Sequence, residues 1–156
     1  MKLIAKIILI ILTLSLAFSV CGCTAVKNVT RDIPRAIELA KNLSELSKIG
    51  DRELALEQAE QYLHEKSGLT KDAILEQIKE NEAVKALNLE GTGNKNISVG
   101  NIGTPSLKGY DEALGGNIYE VSAVVTVNGQ PLNVVIQLLS DDAMMGLYSF
   151  DITSGN

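Results

Sequence analysis

The sequence predicts an α+β domain, with helices in its first half and an antiparallel sheet in its second. Up to about residue 88, apolar residues recur at the three- and four-residue steps of a helix. Beyond about residue 96 they alternate with polar residues, which is the period of a strand. We therefore expect one domain, residues 33–156, in which three or four helices (about 34–88) pack on one face of a three- to four-stranded antiparallel sheet (about 96–152).

The first helix is predicted to run from about Pro34 to Ile49. Proline suits the first turn of a helix, where its missing N–H has no helical partner to lose, and Gly50 is a stop signal. The apolar face is formed by Ala36, Leu39, Leu43 and Leu46. Residues 23–32 precede this helix, and their polar composition predicts a short tether.

A second helix is predicted from the N-cap Asp51 to the Ser67-Gly68 stop, with Leu56, Ala59 and Leu63 on its apolar face. This helix carries His64, the only histidine of the chain. Its neighbours along the helix are Glu60, Glu65 and Lys66, so we expect a solvated surface side chain rather than a general base.

The third helix is predicted to begin at Thr70 as N-cap, with Ile74 and Ile78 on its inner face. Continuing the same helical phase brings polar side chains onto that face from Asn81 onwards. A kink or a new helix start near Asn81, with Val84 and Leu87 on the apolar side, removes this conflict.

The clearest strand signal is a hairpin around Asn128-Gly129, a dipeptide suited to a two-residue turn. Both flanking segments alternate, so that the turn and the apolar pattern give the same register. The predicted cross-strand pairs are Tyr119 with Leu138, Val121 with Ile136, Ala123 with Val134, and Val125 with Leu132. A disturbed strand at 97–102 precedes the hairpin, and a last strand with Tyr148, Phe150 and Ile152 on one side follows the Asp141-Asp142 turn.

The outer face of this sheet is not uniformly polar, since it carries Ile118, Val124, Val135 and Leu139. One-sided sheets usually alternate more strictly. This face is therefore a candidate interface, either for a homodimer or close to a membrane, although single exposed aliphatic side chains are also ordinary.

The net charge of the chain limits the classes of partner that we expect it to bind. From Cys23 onwards, twelve Lys and Arg stand against nineteen Asp and Glu, so a nucleic-acid partner is not expected. No Lys or Arg follows Lys108, whereas six acidic residues do. This asymmetry fits a solubilising acidic surface, or a docking face for a basic protein or peptide.

The N-terminal segment has the features of a secretion signal. Lys2 and Lys6 form a positive region, and an uncharged, mainly apolar run of fourteen residues extends from Ile7 to Val20. That run is shorter than the roughly 20 residues of a spanning helix. An uncleaved anchor is the alternative to a cleaved signal.

Val20-Cys21-Gly22-Cys23, at the end of the apolar run, resembles the lipobox of bacterial lipoproteins. In that family an aliphatic residue and a small residue precede the cysteine that receives diacylglycerol. The pattern fits Cys23, which Gly22 precedes, better than Cys21, which follows Val20. The resemblance implies a signal peptide over residues 1–22, lipidation of Cys23 as the mature first residue, and a location on the extracytoplasmic side of the cell envelope.

Two further resemblances concern the domain. The order of helices and strands over about 34–152 is similar to the nuclear-transport-factor-like and cystatin-like superfamilies, which implies a concave pocket between helices and sheet. Some of those families are enzymes, so an enzyme of this cone-shaped fold is one alternative. The second resemblance is to the helix-turn-helix repeat of phage superinfection-exclusion lipoproteins, and such a lipoprotein is the other alternative. The residues that carry it are Ala55-Leu56, Ala59, Tyr62-Leu63, Thr70-Lys71, Ile74-Leu75 and Gln77-Ile78.

The sequence contains no recognisable catalytic set, cofactor motif or metal-ligand set. Two cysteines and one histidine cannot complete a thiolate-rich zinc site, and Asp141-Asp142 is read first as a charged turn and second as a cation ligand. We therefore expect a membrane-anchored, non-enzymatic binding or structural module. Its expected partners are the membrane, through the lipid on Cys23, and a protein or peptide.

Overall fold

The computed structural model describes residues 29–49, 52–87, 97–102 and 106–155. Helices occupy the first half of this part, and the strands that follow form a single antiparallel sheet. The predicted α+β class and the antiparallel sheet are thereby confirmed. The sheet has five strands, more than the three or four that we expect from the sequence.

The first helix, α1, spans Val29–Lys48, so it begins five residues before the predicted start at Pro34. Pro34 therefore lies inside the helix, where it cannot donate a bond to the carbonyl of Thr30. The additional residues include Asp32, which is buried although the sequence predicts a tether there. Ala36 and Leu39 are buried as predicted, and the side chains of Leu43 and Leu46 lie outside the described part.

The second helix is shorter than predicted. α2 spans Arg52–Ala59, and two single 3₁₀ turns, Glu60–Tyr62 and Glu65–Ser67, follow it. Between these turns Leu63 forms a parallel bridge to Leu147, and the backbone N–H of His64 donates to the Leu147 carbonyl at 2.8 Å. The predicted solvated His64 is wrong, because its backbone pairs with the sheet and only 2% of the residue is exposed.

The remaining helices are α3, Lys71–Glu80, and α4, Glu82–Lys85. Thr70 caps α3 by accepting from the Ala73 N–H at 3.1 Å, as predicted. Asn81 ends α3 and caps α4 by accepting from the Val84 N–H at 3.1 Å. The predicted helix restart at Asn81 is confirmed.

The strands are β1 Ile97–Ile102, β2 Ser106–Asp111, β3 Gly116–Val127, β4 Gln130–Ser140 and β5 Met145–Ser154. β3, β4 and β5 are neighbours in that order, and β1 and β2 both pair with the other edge of β3. β2 is the strand that the sequence does not predict. Its pattern is interrupted at Gly109, where φ is 140° and the register shifts.

The β3–β4 hairpin has the predicted register. Val125 lies opposite Leu132, and Val121 lies opposite Ile136. Asn128 and Gly129 form the turn with φ values of 51° and 84°, which glycine and asparagine tolerate best.

β5 differs from its predicted facing. Phe150 and Ile152 are buried opposite Ile136 and Val134, as expected. Between Gln137 and Leu138 the register shifts by one residue, which makes Leu147 the partner of Leu138. Tyr148 is consequently the extra residue of a bulge and is only half-buried, so its predicted place beside Phe150 is wrong.

One apolar cluster joins the helices to one face of the sheet. It includes Ala55, Ile74 and Ile78 from the helices together with the alternating apolar residues of β3 and β4. The opposite sheet face carries a polar ladder, in which Lys108 bonds Glu120, Gln137 bonds Glu120, and Ser149 bonds Gln137. Ile118, Val124 and Val135 are half-buried on that face, and Leu139 is fully buried.

Candidate functional site

The predicted lipidation residue, Cys23, lies outside the described residues, as do Cys21 and the rest of the lipobox. The first described residue is Val29, six positions after Cys23. The described part of the chain therefore begins close in sequence to the predicted anchor.

A buried carboxylate near the start of α1 connects this helix to the sheet. Asp32 is 2% exposed and accepts hydrogen bonds from Asn117 Nδ2 at 2.6 Å and from Tyr119 Oη at 2.8 Å. Ser140 Oγ donates to its other oxygen at 2.7 Å, and Arg31 Nε does so at 3.1 Å. A buried charge is tolerated when it is fully hydrogen-bonded, as this one is.

The same carboxylate alters the acidity of its tyrosine partner. Burial raises the pKa of Tyr119 far above its usual value, and the hydrogen bond to Asp32 raises it further. Tyr119 therefore remains a protonated donor at every physiological pH. Its role in this arrangement is to hold Asp32, because its hydroxyl hydrogen points to that carboxylate.

Two arginines of α1 bind the turn between β4 and β5. Arg31 donates to the carboxylate of Asp142 and, at 3.5 Å, to the Ser140 carbonyl. Arg35 donates to the backbone carbonyls of Asp141 and Asp142. The N-terminal half of α1 is thus attached to this turn by both side chains.

Asp141 is buried within the β4–β5 turn and bonds its backbone. It is 5% exposed, and its Oδ1 accepts from the backbone N–H groups of Ala143 at 2.9 Å and Met144 at 3.1 Å. Its Oδ2 lies 2.6 Å from Lys66 Nζ. Burial by itself would raise the pKa of Asp141, but the hydrogen bonds from Lys66, Met144 and Ala143 hold it well below the ordinary value.

His64 lies against this carboxylate. Its Nδ1 accepts the backbone N–H of Lys66 at 3.2 Å, so in the neutral ring Nε2 carries the hydrogen. Nε2 is 3.5 Å from Asp141 Oδ1, too long for a good hydrogen bond, and has no other partner among the residues that the structure describes. Burial lowers the pKa of His64, while the nearby charge of Asp141 opposes that shift.

These residues border a cleft of about 430 Å³ at one end of the sheet. Its size is in the range of small-ligand sites. One wall is the segment that carries His64, and another is the β4–β5 turn. The lining residues are His64, Glu65, Lys66, Tyr110, Gly115, Asp141, Asp142, Ala143 and Met144.

The chemistry of the cleft favours binding over catalysis. Asp141 already accepts bonds from Lys66 and two backbone N–H groups, and its lowered pKa makes it a poor base. Burial lowers the pKa of His64, and its side chain is 1% exposed. Within the ranges that the structure describes, no group of three or more His, Cys, Asp or Glu side chains is placed to hold a metal ion.

The acidic residues after Lys108 are partly neutralised within the chain. Glu120 pairs with Lys108, Asp141 with Lys66, and Asp142 with Arg31. This pairing accounts for three of the six acidic residues. Asp141-Asp142 is therefore the charged turn that the sequence favours, with cations that come from the helical half of the chain.

Sequence reasoning does not identify Asp32, Arg31 and Arg35 as important residues, because it assigns the first two to the tether. The three partners of Asp32 on the sheet, Asn117, Tyr119 and Ser140, come 85 to 108 residues later in the chain. Nothing in local periodicity indicates such pairs. The one local signal is the concentration of charge, Arg31-Asp32 and Arg35, directly before an apolar helix face.

Comparison with known proteins adds no relative: no protein-family model, no curated protein and no solved structure matches the chain. The lipobox and the two domain resemblances therefore stay predictions. Most apolar residues of the phage-exclusion resemblance are buried in the common core, and two, Tyr62 and Leu75, are partly buried against it. The buried ones are Ala55, Leu56, Ala59, Leu63, Ile74 and Ile78. Among the helices of the described ranges, none has the length and apolar character needed to cross a membrane.

Proposed function

We propose that this protein is a lipid-anchored module of the bacterial cell envelope, which holds its α+β domain at the membrane surface on the extracytoplasmic side. In this proposal Cys23 carries the lipid. The domain works by binding or by assembly, and the cleft beside His64 and Asp141 is its partner-facing end.

The observation that carries the proposal is the short distance in sequence between a lipobox cysteine and a firmly attached helix. Five residues separate Cys23 from Val29, the first residue of α1. Even fully extended, the peptide units from Cys23 to Val29 reach only about 20 Å. Since Asp32 is buried nine residues after Cys23, the domain would stay within about that distance of the bilayer surface.

The contacts of α1 also orient the domain. Arg31 and Arg35 bond the β4–β5 turn, which lines the cleft. The connection to Cys23 leaves α1 only two residues before Arg31. The cleft would therefore open near the membrane, where a bound partner would also lie.

A lipid on Cys23 would be sufficient for stable attachment. Each buried acyl methylene contributes about 0.8 kcal/mol, and a single chain binds only reversibly. The diacylglycerol that the lipobox resemblance implies brings two chains. Attachment would then need no contribution from the domain, in a chain whose net charge is negative.

Metabolic labelling with an alkyne fatty acid, followed by membrane fractionation, tests the anchor. The wild type and Cys21→Ala should be labelled and membrane-bound, whereas Cys23→Ala should lose the label. Cys21→Ala is the matched control because it removes the neighbouring thiol and leaves Gly22-Cys23 intact. Equal labelling of wild type and Cys23→Ala would refute the proposal.

A further inference from the structure

The wall of the cleft that carries His64 is attached both to the sheet and to the β4–β5 turn. We call residues 63–67, which form this wall, the latch segment. Leu63 bridges Leu147, and the His64 N–H donates to the Leu147 carbonyl at 2.8 Å. The rest of the segment is the 3₁₀ turn Glu65–Ser67, which the His64 side chain caps and which ends at Gly68 in the left-handed conformation. Lys66 Nζ also contacts Asp141 Oδ2 at 2.6 Å and the Leu114 carbonyl at 2.7 Å, so the imidazole controls the backbone of this turn and not the Lys66 side chain.

The capping bond requires neutral His64. Nδ1 accepts from the Lys66 N–H at 3.2 Å, and only an unprotonated nitrogen can accept. Protonation would place an N–H opposite an N–H. The other nitrogen, Nε2, is buried 3.5 Å from Asp141 Oδ1, and within the described part of the chain it has no hydrogen-bond partner. A positive ring would consequently be drawn towards Asp141 and away from the Lys66 amide.

We propose that His64 is a pH-sensitive latch. Protonation of Nδ1 breaks the bond to the Lys66 N–H, frees residues 65–67 from their cap, and opens the cleft beside Asp141. At neutral pH the cap is intact and the cleft is closed to its observed width.

The groups facing the ring shift the pKa of His64 in both directions. Asp141, on the β4–β5 turn, and Glu65, on the latch segment, favour the charged ring, while Lys66 opposes it. Tyr110 and Asp142 also line the cleft. Burial is the largest of these effects, and it brings the pKa of folded His64 below the ordinary value.

The sign of the pH dependence follows from that lowered pKa. The closed form binds the proton less readily than the open form, so closure is fully favoured above about pH 6.5. Its stability is lost as the pH falls from there through the pKa of the closed form. His64 is the only histidine of the chain, so no other imidazole contributes in this window.

Amide hydrogen exchange of the full-length chain in detergent micelles, measured by NMR at pH 7.5 and 5.0, tests the latch. After correction for intrinsic exchange rates, the Lys66 amide should lose protection several-fold at pH 5.0. The amides of Ala73 and Val84 are internal controls, because non-titrating caps, Thr70 Oγ1 and Asn81 Oδ1, hold them at similar distances. Their protection should not change.

His64→Asn is the matched variant, since an asparagine oxygen can accept the Lys66 N–H but does not titrate. It should remove the pH dependence at Lys66. The amides of Ala143 and Met144, which bond Asp141, should stay protected at pH 5.0 in both proteins. If His64→Asn does not fold, the comparison of Lys66 with Ala73 in the wild type suffices.

Two results would overturn the inference. One is unchanged protection of Lys66 between pH 7.5 and 5.0 in the wild type. The other is an imidazole nitrogen spectrum at pH 7.5 that shows the hydrogen on Nδ1, because that tautomer cannot accept from Lys66. Neither result bears on lipidation of Cys23, so the latch and the proposed anchor fail separately.

Discussion

Replacing Asp32 with alanine should destabilise the protein more than replacing any exposed acidic residue. The change removes the acceptor of Asn117 Nδ2, Tyr119 Oη and Ser140 Oγ, and it takes away a partner of Arg31. Each buried donor left without a partner costs about 1–3 kcal/mol, and removing one member of a buried charged set typically costs about 3–5 kcal/mol. Since the donors can partly rearrange, we expect a loss of about 4 kcal/mol in the free energy of unfolding.

Urea unfolding followed by far-UV circular dichroism measures this loss. With a slope of about 2 kcal/mol per molar urea, Asp32→Ala should lower the midpoint by about 2 M. Tyr119→Phe, which removes one donor, should cost about 1 kcal/mol. In Asp32→Ala/Tyr119→Phe the two losses should not add, because both changes remove the same bond.

The control is Asp142→Ala, whose side chain also bonds Arg31 but is 94% exposed. That exposed pair should contribute less than about 1 kcal/mol. Equal midpoints for Asp32→Ala and Asp142→Ala would refute the reasoning that burial, and not pairing with Arg31, gives Asp32 its importance.

Three further changes test other parts of the structure. Gly129→Ala should cost about 1–2 kcal/mol in urea unfolding, because φ is 84° at this turn position and a β-carbon is strained there. Gly146→Ala should increase amide exchange at His64, because the new β-carbon would lie 2.8 Å from the Tyr62 carbonyl oxygen and 2.9 Å from the His64 backbone nitrogen. Unchanged exchange would contradict this packing. Asp141→Asn should flatten the acid side of the pH–stability curve. The folded pKa of Asp141 lies below the usual value, so the stability that Asp141 contributes is complete above about pH 4 and is lost below it. If the wild-type loss of stability below pH 4 persists in the variant, the assignment is disproved.

The features that the sequence predicts correctly depend on short-range information. The β3–β4 register follows from a two-residue turn and the alternation on either side of it, all within about 20 residues. The caps at Thr70 and Asn81 are similar, because each side chain bonds an N–H three residues along the chain. Such signals can be recognised in the sequence without knowing the fold.

The features that the sequence predicts wrongly depend on contacts between residues far apart in the chain. The start of α1 moves to Val29 because Asp32 has partners on β3 and β4. His64 is buried because the chain leaves its helix to pair with Leu147, and Tyr148 turns partly outward at a bulge. Helical and strand periodicity contain no information about these pairings. These distant pairings form the candidate cleft, so the cleft could not be predicted from the sequence.

The central claim is that the mature protein begins at a lipidated Cys23, and mass spectrometry of its N-terminal peptide tests this most directly. After trypsin cleavage of protein purified from bacterial membranes, the expected peptide is Cys23–Lys27 with diacylglycerol on the cysteine sulfur. An unmodified Cys23 within a peptide that continues upstream through Gly22 and Cys21 would contradict the account.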